Sequence, residues 1–256
     1  GAMGYWDAIP AQAGNIRHYD RATGWTAYDD GLDGEGRVST QGSHRAVEAA
    51  LGIALNASNL ALLSGAGTSF CAKNVKAGAP QAPGMSDLWD AVVADVTQPK
   101  FDAVTALIPK AKGIGKNIEK LLTQYKIYVE LFDDDNAKNV GEFISAAEKA
   151  IAARVDFVTE DTNLSAHGTL IRKIARRGIR KPRTKIFTTN YDLCFEYAAR
   201  AQRFTVIDGF SHSMPQVYER GHFAHDIVRR DAGREGPDYI ENVFQLYKLH
   251  GSLDWR

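Results

Sequence analysis

Cysteine is nearly absent from this chain of 256 residues: there are two, Cys71 and Cys194. They allow at most one disulfide, so a disulfide-stapled secreted fold is not expected. Neither lies in a Cys-x-x-Cys pair, and a zinc site with four cysteine ligands is excluded within this chain. Net charge is missing too. Lys and Arg number 31, as do Asp and Glu, which gives no electrostatic footprint of a nucleic-acid partner for the chain as a whole. No apolar run approaches the roughly 20 residues of a membrane span, so no membrane partner is expected. Proline is sparse at 8 residues. With 44% hydrophobic and 24% charged residues, the composition is that of an ordinary globular protein. The length suits one large domain, or a sheet domain carrying a substantial insertion. The opening Gly1-Ala2-Met3 reads as a tag remnant, with no basic-then-apolar signal segment after it. A cytoplasmic protein is the expectation.

Residues 4–42 carry aromatics (Trp6, Tyr19, Trp25, Tyr28) without sustained periodicity and read as an irregular arm or lid. Within them, 29–36 fails as the start of a calcium loop: Gly31 stands where the third position needs an oxygen ligand and Thr40 where the twelfth needs Glu, leaving an acidic turn. Ser43 is then a candidate N-cap for a helix with Val47, Leu51, Ala54 and Leu55 at helical spacing. Leu60-Ala61-Leu62-Leu63 is wholly apolar, as expected of a strand buried on both faces. Between 86 and 180 helical patterns follow one another: Leu88, Trp89, Val92, Val93 and Val96 behind a Ser86 cap; Ile118, Leu121, Leu122, Tyr125, Tyr128 and Val129; Phe143, Ala147, Ala150, Ile151 and Val155; then Leu170, Ile171 and Ile174. Strands return at 185–189, 203–207 and 243–249, with a possible hairpin strand over 223–230. The expected fold is α/β: a Rossmann-like doubly wound parallel sheet with a helical module inserted after the first strand. The expected division is 1–42 as arm, 43–85 with 181–256 as the Rossmann-like part, and 86–180 as the inserted module.

Three chemical marks each end a predicted strand, where a parallel sheet binds its ligand. The first is Gly65-Ala66-Gly67-Thr68-Ser69. Such glycines let a backbone turn tightly and approach a diphosphate; a plain strand-to-loop turn reads the same way. The run is not a full G-x-G-x-x-G, because Phe70 holds the third glycine position. The second is Thr189-Asn190-Tyr191-Asp192, whose amide and carboxylate suit either a carboxamide and a water or a helix cap. The third is Leu249-His250-Gly251-Ser252. Gly251 lets the chain turn sharply beside an imidazole that is either catalytic or structural.

Together these marks resemble the sirtuin superfamily, with its Gly-Ala-Gly-x-Ser loop, Thr-x-Asn-x-Asp strand end and His-Gly pair in the same order. They are most similar to bacterial sirtuin-like defence proteins, in which Thr-Thr-Asn-Tyr-Asp and Leu-His-Gly-Ser-Leu-Asp-Trp occur in these forms. The resemblance runs from Ser43 to Arg256, with little from the helical insertion. It implies an NAD-depleting effector of anti-phage defence that cleaves the nicotinamide–ribose bond, with NAD as substrate and no zinc. It further implies a homo-oligomer, or assembly with a partner subunit such as an ATPase or a fused sensor domain. On this resemblance Gly65, Ala66, Gly67, Thr68, Ser69, Thr189 and Gly251 bind NAD. Asp192 fixes the carboxamide, Asn190 orients the water or the ribose hydroxyls, and His250 is the general base.

The sequence departs from the family in three ways. It lacks the four-cysteine zinc module and the Pro-Asp-Phe-Arg segment of deacylase sirtuins, with Ala79-Pro80 and 85–89 standing in that region. It also ends six residues after His250, before the strands that hold the adenosine end. A piece of a longer protein, or a fold completed by a second chain, is the expectation. An NAD glycohydrolase therefore leads. A catalytically silent NAD or ADP-ribose sensor or scaffold is the alternative, with a deacylase or ADP-ribosyl transferase behind both.

The remaining clusters have ordinary readings. His222 and His225 read as a solvated hairpin beside Asp226, and 211–213 as a polar loop. Cys194 reads as a packed thiol, and 133–135 as a turn. The eight basic residues between Arg172 and Lys185 read as a solvated helix face, with a nucleic-acid or acidic-partner patch only weakly suggested.

Overall fold

The computed structural model describes residues 16–108, 113–175, 177–178, 181–229, 236 and 238–255. The tag-like start Gly1-Ala2-Met3, Trp6, and Arg176, Arg180, Arg230 and Arg256 lie outside the described residues. The chain divides into two compact units at Leu60/Ala61.

In the first unit, residues 16–42 are not an irregular arm. They fold as two hairpins: β1 (Arg17–Asp20) with β2 (Gly24–Ala27), and β3 (Gly31–Leu32) with β4 (Val38–Thr40). The turn signal is local. Asp20 Oδ1 accepts the Ala22 N–H at 2.8 Å, and Asp33 Oδ1 accepts those of Glu35 and Arg37, both at 2.9 Å. Helix α1 (His44–Asn56) starts after Ser43 as read. The Ser43 hydroxyl does not cap it, however; it donates to the Ala27 carbonyl at 2.9 Å. No residue of α1 is buried, so its apolar spacing does not mark a core face.

The second unit is α/β. Its sheet is four-stranded and wholly parallel, in the order β5 (Ala61–Ser64), β8 (Thr184–Thr188), β12 (Val243–Lys248), β9 (Thr205–Ile207). Helices flank it in the Rossmann-like, doubly wound manner, and α8 (Cys194–Ala201) links β8 to β9. Ile186 pairs with Leu62 on one side and Leu246 on the other. The last strand in the chain thus lies between β8 and β9, buried from Val243 to Leu246. By contrast β5 is an edge strand, with Leu63 73% exposed. Its apolar run does not reflect burial on both faces: Ala61 and Leu63 are exposed and Leu62 is half-buried.

After β5 come a single helical turn, α2 (Ala66–Ser69), and a two-residue strand, β6 (Lys73–Asn74). The inserted helical module follows: α3 (Met85–Val96), α4 (Gln98–Ala106), α5 (Ile118–Leu131), α6 (Asp135–Val155) and α7 (Ser165–Ala175). Two details differ from the reading. Ser86 lies inside α3, whose N-cap is Gly84, and Asp87 Oδ2 accepts the Gly84 N–H at 2.7 Å. A short strand, β7 (Thr162–Asn163), interrupts the helices by pairing with β6. Asp134 caps α6 by accepting the Ala137 N–H at 2.7 Å.

The module's core is the stripe the spacing predicts: Leu88, Val92 and Val96 meet Ile118, Leu121, Leu122 and Tyr125, with Phe143 and Ala147 from α6. Phe143 stands edge-on to Phe101 and Tyr125, at 5.6 and 5.3 Å. Residues 223–230 are not one hairpin strand. A 3-10 turn (Arg220–Ala224) precedes β10 (Val228–Arg229), which pairs with β11 (Asp238–Tyr239). No described helix is long and apolar enough to cross a membrane.

Candidate functional site

Parallel pairing brings the ends of β5, β8 and β12 side by side, and the three sequence marks follow those ends. The Thr189 N–H donates to the Ser64 carbonyl at 3.2 Å, and the Leu249 N–H to the Thr188 carbonyl at 2.8 Å. The strand-to-loop exits are therefore locked in register.

The glycine loop turns directly into α2. Gly65 is extended (φ −137°), and the N–H groups of Ala66 and Gly67 begin the helical turn without intrahelical acceptors. A Cβ on Gly67 would meet nothing within 4 Å, so nothing in the described fold requires a glycine there. Ala66 and Gly67 are exposed, whereas Thr68 accepts a hydrogen bond from Ser64 Oγ at 2.9 Å. Ser69 is buried.

Ser69 joins the first mark to the second. Asn190 Nδ2 donates to the Gly65 carbonyl at 3.0 Å and to Ser69 Oγ at 2.6 Å. A backbone carbonyl only accepts, so the Asn190 amide nitrogen must face it; Oδ1 is left as the available acceptor. The Ser69 hydroxyl in turn donates to Asp192 Oδ2 at 2.5 Å, a short charge-assisted bond. Asp192 Oδ1 accepts the Cys194 N–H at 3.0 Å. The carboxylate is thus buried with one bond on each oxygen, and it serves the start of α8 as well as the site. Thr189 stands beside the loop, its Oγ1 at 3.6 Å from where a Gly65 Cβ would be.

His250 belongs to a different wall. It is exposed, makes no hydrogen bond among the described residues, and lies 6.4 Å from the Tyr191 ring, centroid to centroid. Gly251 has φ +106°, a left-handed conformation that side chains resist, so the turn after His250 needs glycine. Tyr191, His250, Gly251, Leu253 and Trp255 line a cavity of about 650 Å³, whose other wall includes Glu119 of α5 and Glu148 of α6. That is the size of a small-molecule site. None of 65–69, Asn190 or Asp192 lines it. Tyr191, between Asn190 and Asp192 in the chain, is what relates the two halves. Burial, then the Glu119 and Glu148 carboxylates, push its phenol above the ordinary value.

Three groups carried no role in the sequence reading. Lys248, almost wholly buried on β12, donates to the Asp192 carbonyl and pairs with Glu196 Oε1 at 2.9 Å. Glu196 of α8 is pushed up to about 7 by burial, against the pull of Lys248. His167 of α7 is buried edge-on to Phe195 at 5.4 Å, and neither ring nitrogen has a partner among the described residues. Burial pushes its imidazole below the ordinary value, with the Asp192 carboxylate opposing.

Elsewhere, Cys194 is buried, and burial pushes its thiol far above the ordinary range. Asp226 is committed to Arg183, which reaches it through Nη2 at 2.9 Å and Nε at 3.0 Å. His222 Nδ1 lies 3.0 Å from the Gly209 carbonyl. Among the described residues no cluster of three or more His, Cys, Asp or Glu is placed to hold a metal ion. In the basic stretch, Arg172 donates to Gln202 and Arg183 is paired as above. No protein-family model matches the chain, and no curated protein matches it.

Proposed function

We propose that this chain is a sirtuin-like NAD-binding domain that hydrolyses NAD to nicotinamide and ADP-ribose. The observation that carries the reading is the hydrogen-bonded chain Asn190–Ser69–Asp192, which ties the glycine loop after β5 to the end of β8. A glycine run with no steric need for glycine at Gly67, linked to a fixed amide and carboxylate, suits a ligand with a diphosphate at one end and a carboxamide at the other.

In this reading the N–H groups of Ala66 and Gly67, which begin α2 without intrahelical acceptors, meet the diphosphate. Asp192, with a lone pair remaining on each oxygen, accepts the carboxamide N–H. Asn190 Oδ1 accepts from the attacking water or a ribose hydroxyl. The water oxygen bonds to the ribose C1′ as the C1′–N bond breaks, its electron pair returning to the nicotinamide ring. His250 takes the water's proton. Loss of a general base typically costs about 10² to 10⁴ in rate. On the same reading the domain depletes NAD in anti-phage defence, as a homo-oligomer or with a partner subunit or fused sensor domain.

Nicotinamide release from NAD by the purified protein tests the proposal; absence of release, with NAD still bound, turns it into the second reading. That reading, a nucleotide-binding sensor or scaffold, has one observation in its favour. His250 has no described hydrogen-bond partner to orient its ring, which a general base ordinarily has.

A further inference from the structure

Beneath the Asn190–Ser69–Asp192 chain lies a second layer that sequence patterning did not reveal. Lys248 is the last residue of β12, two before His250, and its side chain is 4% exposed. Its ammonium turns inward to two acceptors, the Asp192 main-chain carbonyl in the β8–α8 connection and Glu196 Oε1 of α8. Glu196 sits in the first turn of α8, and its Oε2 is buried without a hydrogen bond. One cation therefore holds the backbone of Asp192 to the end of β12, two residues before His250.

We propose that Lys248 is a positioning residue: it clamps Asp192, and through it Ser69 and Asn190, against the His250 strand, and the proton on Glu196 sets how tightly it does so. The catalytic part of this proposal rests on the NAD-hydrolysis reading; the clamp itself does not. A buried ammonium needs acceptors in fixed geometry, and an ionised carboxylate is a much stronger one than a neutral acid. With Glu196 ionised, Lys248 is held between α8 and the Asp192 carbonyl. With Glu196 protonated, the ammonium loses its counter-charge and its hold on the Asp192 carbonyl loosens while Glu196 itself stays enclosed, a local change distinct from global unfolding, which exposes Glu196 and is favoured by its ionisation. Among the described residues, the other titratable groups coupled to this cluster are Asp192 in the β8–α8 connection, Cys194 at the start of α8 and Asp254 after β12. Cys194 stays a neutral thiol across the neutral range, while the Asp254 carboxylate favours protonation of Glu196. The Glu196 side chain keeps 24% exposure but its Oε2 is enclosed, and that burial raises its titration to about 7.

The test is amide hydrogen exchange by NMR on the full chain, without nucleotide, between pH 6 and 8. Protection at 190–194 is read relative to Ile186 and Phe187 in the strand, which corrects for global stability. The expected result is at least a fivefold drop in relative protection for Lys248→Met, restored by Lys248→Arg. Wild type should lose relative protection as pH falls through about 7, while Glu196→Gln is flat. Wild-type protection in Lys248→Met, or a pH step that persists in Glu196→Gln, overturns the proposal. Should Lys248→Met not fold, the isosteric Glu196→Gln decides alone. In parallel, nicotinamide release by Lys248→Arg should retain the wild-type KM and most of kcat. A protein that never releases nicotinamide but passes the exchange test refutes the hydrolase and leaves the clamp standing.

Discussion

Ser69 and Asp192, 123 residues apart in the chain, are joined by a 2.5 Å hydrogen bond in which the serine hydroxyl donates to the carboxylate. The same hydroxyl accepts from Asn190. A serine is what this position needs, since it must take one hydrogen bond and pass one on.

Ser69→Ala should therefore disturb both neighbours. It removes one of the two bonds on the buried Asp192 carboxylate and frees the Asn190 amide from one of its two acceptors. Unsatisfied buried polar groups of this kind cost about 1–3 kcal/mol. The expected outcome is a drop of that size in unfolding free energy, measured by urea denaturation, with nicotinamide release reduced by about tenfold or more. Ser69→Thr keeps the hydroxyl and should lose less in both measurements.

Stability against pH isolates Glu196. Its folded value is raised, so the folded state binds a proton more tightly than the unfolded chain does. Its stabilisation is complete below the unfolded value near 4.5 and is lost as pH rises through about 7. His167 works the other way: its value is lowered, and its contribution is present above about 6.5 and lost as pH falls. The two oppose each other, so the wild-type curve alone is not diagnostic. The difference between Glu196→Gln and wild type is: the variant should gain on wild type as pH rises from 4.5 to 7, by at most on the order of 3 kcal/mol. Chemical denaturation at pH 5 and pH 8 measures it, and a constant difference would contradict the assignment.

Thiol reactivity separates the two cysteines. Cys71 is exposed and Cys194 is buried with its thiol held protonated. Iodoacetamide at pH 8 on the native protein should label Cys71 and leave Cys194 untouched, with both labelled in denaturant. Mass spectrometry of peptides reads the result directly.

The parallel sheet and the helical module were legible because their signals are local. Lys185 to Thr189 is β-rich and ends on Asn190, and the Leu88–Val92–Val96 and Ile118–Leu121–Tyr125 spacings mark one face each. Exposure was not legible. The apolar run 60–63 looks the same whether a strand's faces are covered or open, and in β5 Ala61 and Leu63 are exposed. The marks were legible as residue types, but their grouping was not: spacing along the chain says nothing about Ser69 meeting Asp192. Lys248 and Glu196 are the clearest omission. A lysine ending a strand and a glutamate in a first helical turn both read as solvated, and only the position of β12 beside β8 turns them inward together.

The central claim is that Asn190 and His250 act on the nicotinamide–ribose bond. Its most direct test is nicotinamide release from NAD by the wild type, Asn190→Ala and His250→Ala, with thermal unfolding of each to verify the fold. The account predicts release by wild type and a loss of about 10² or more in both folded variants. Wild-type turnover in either variant would contradict it.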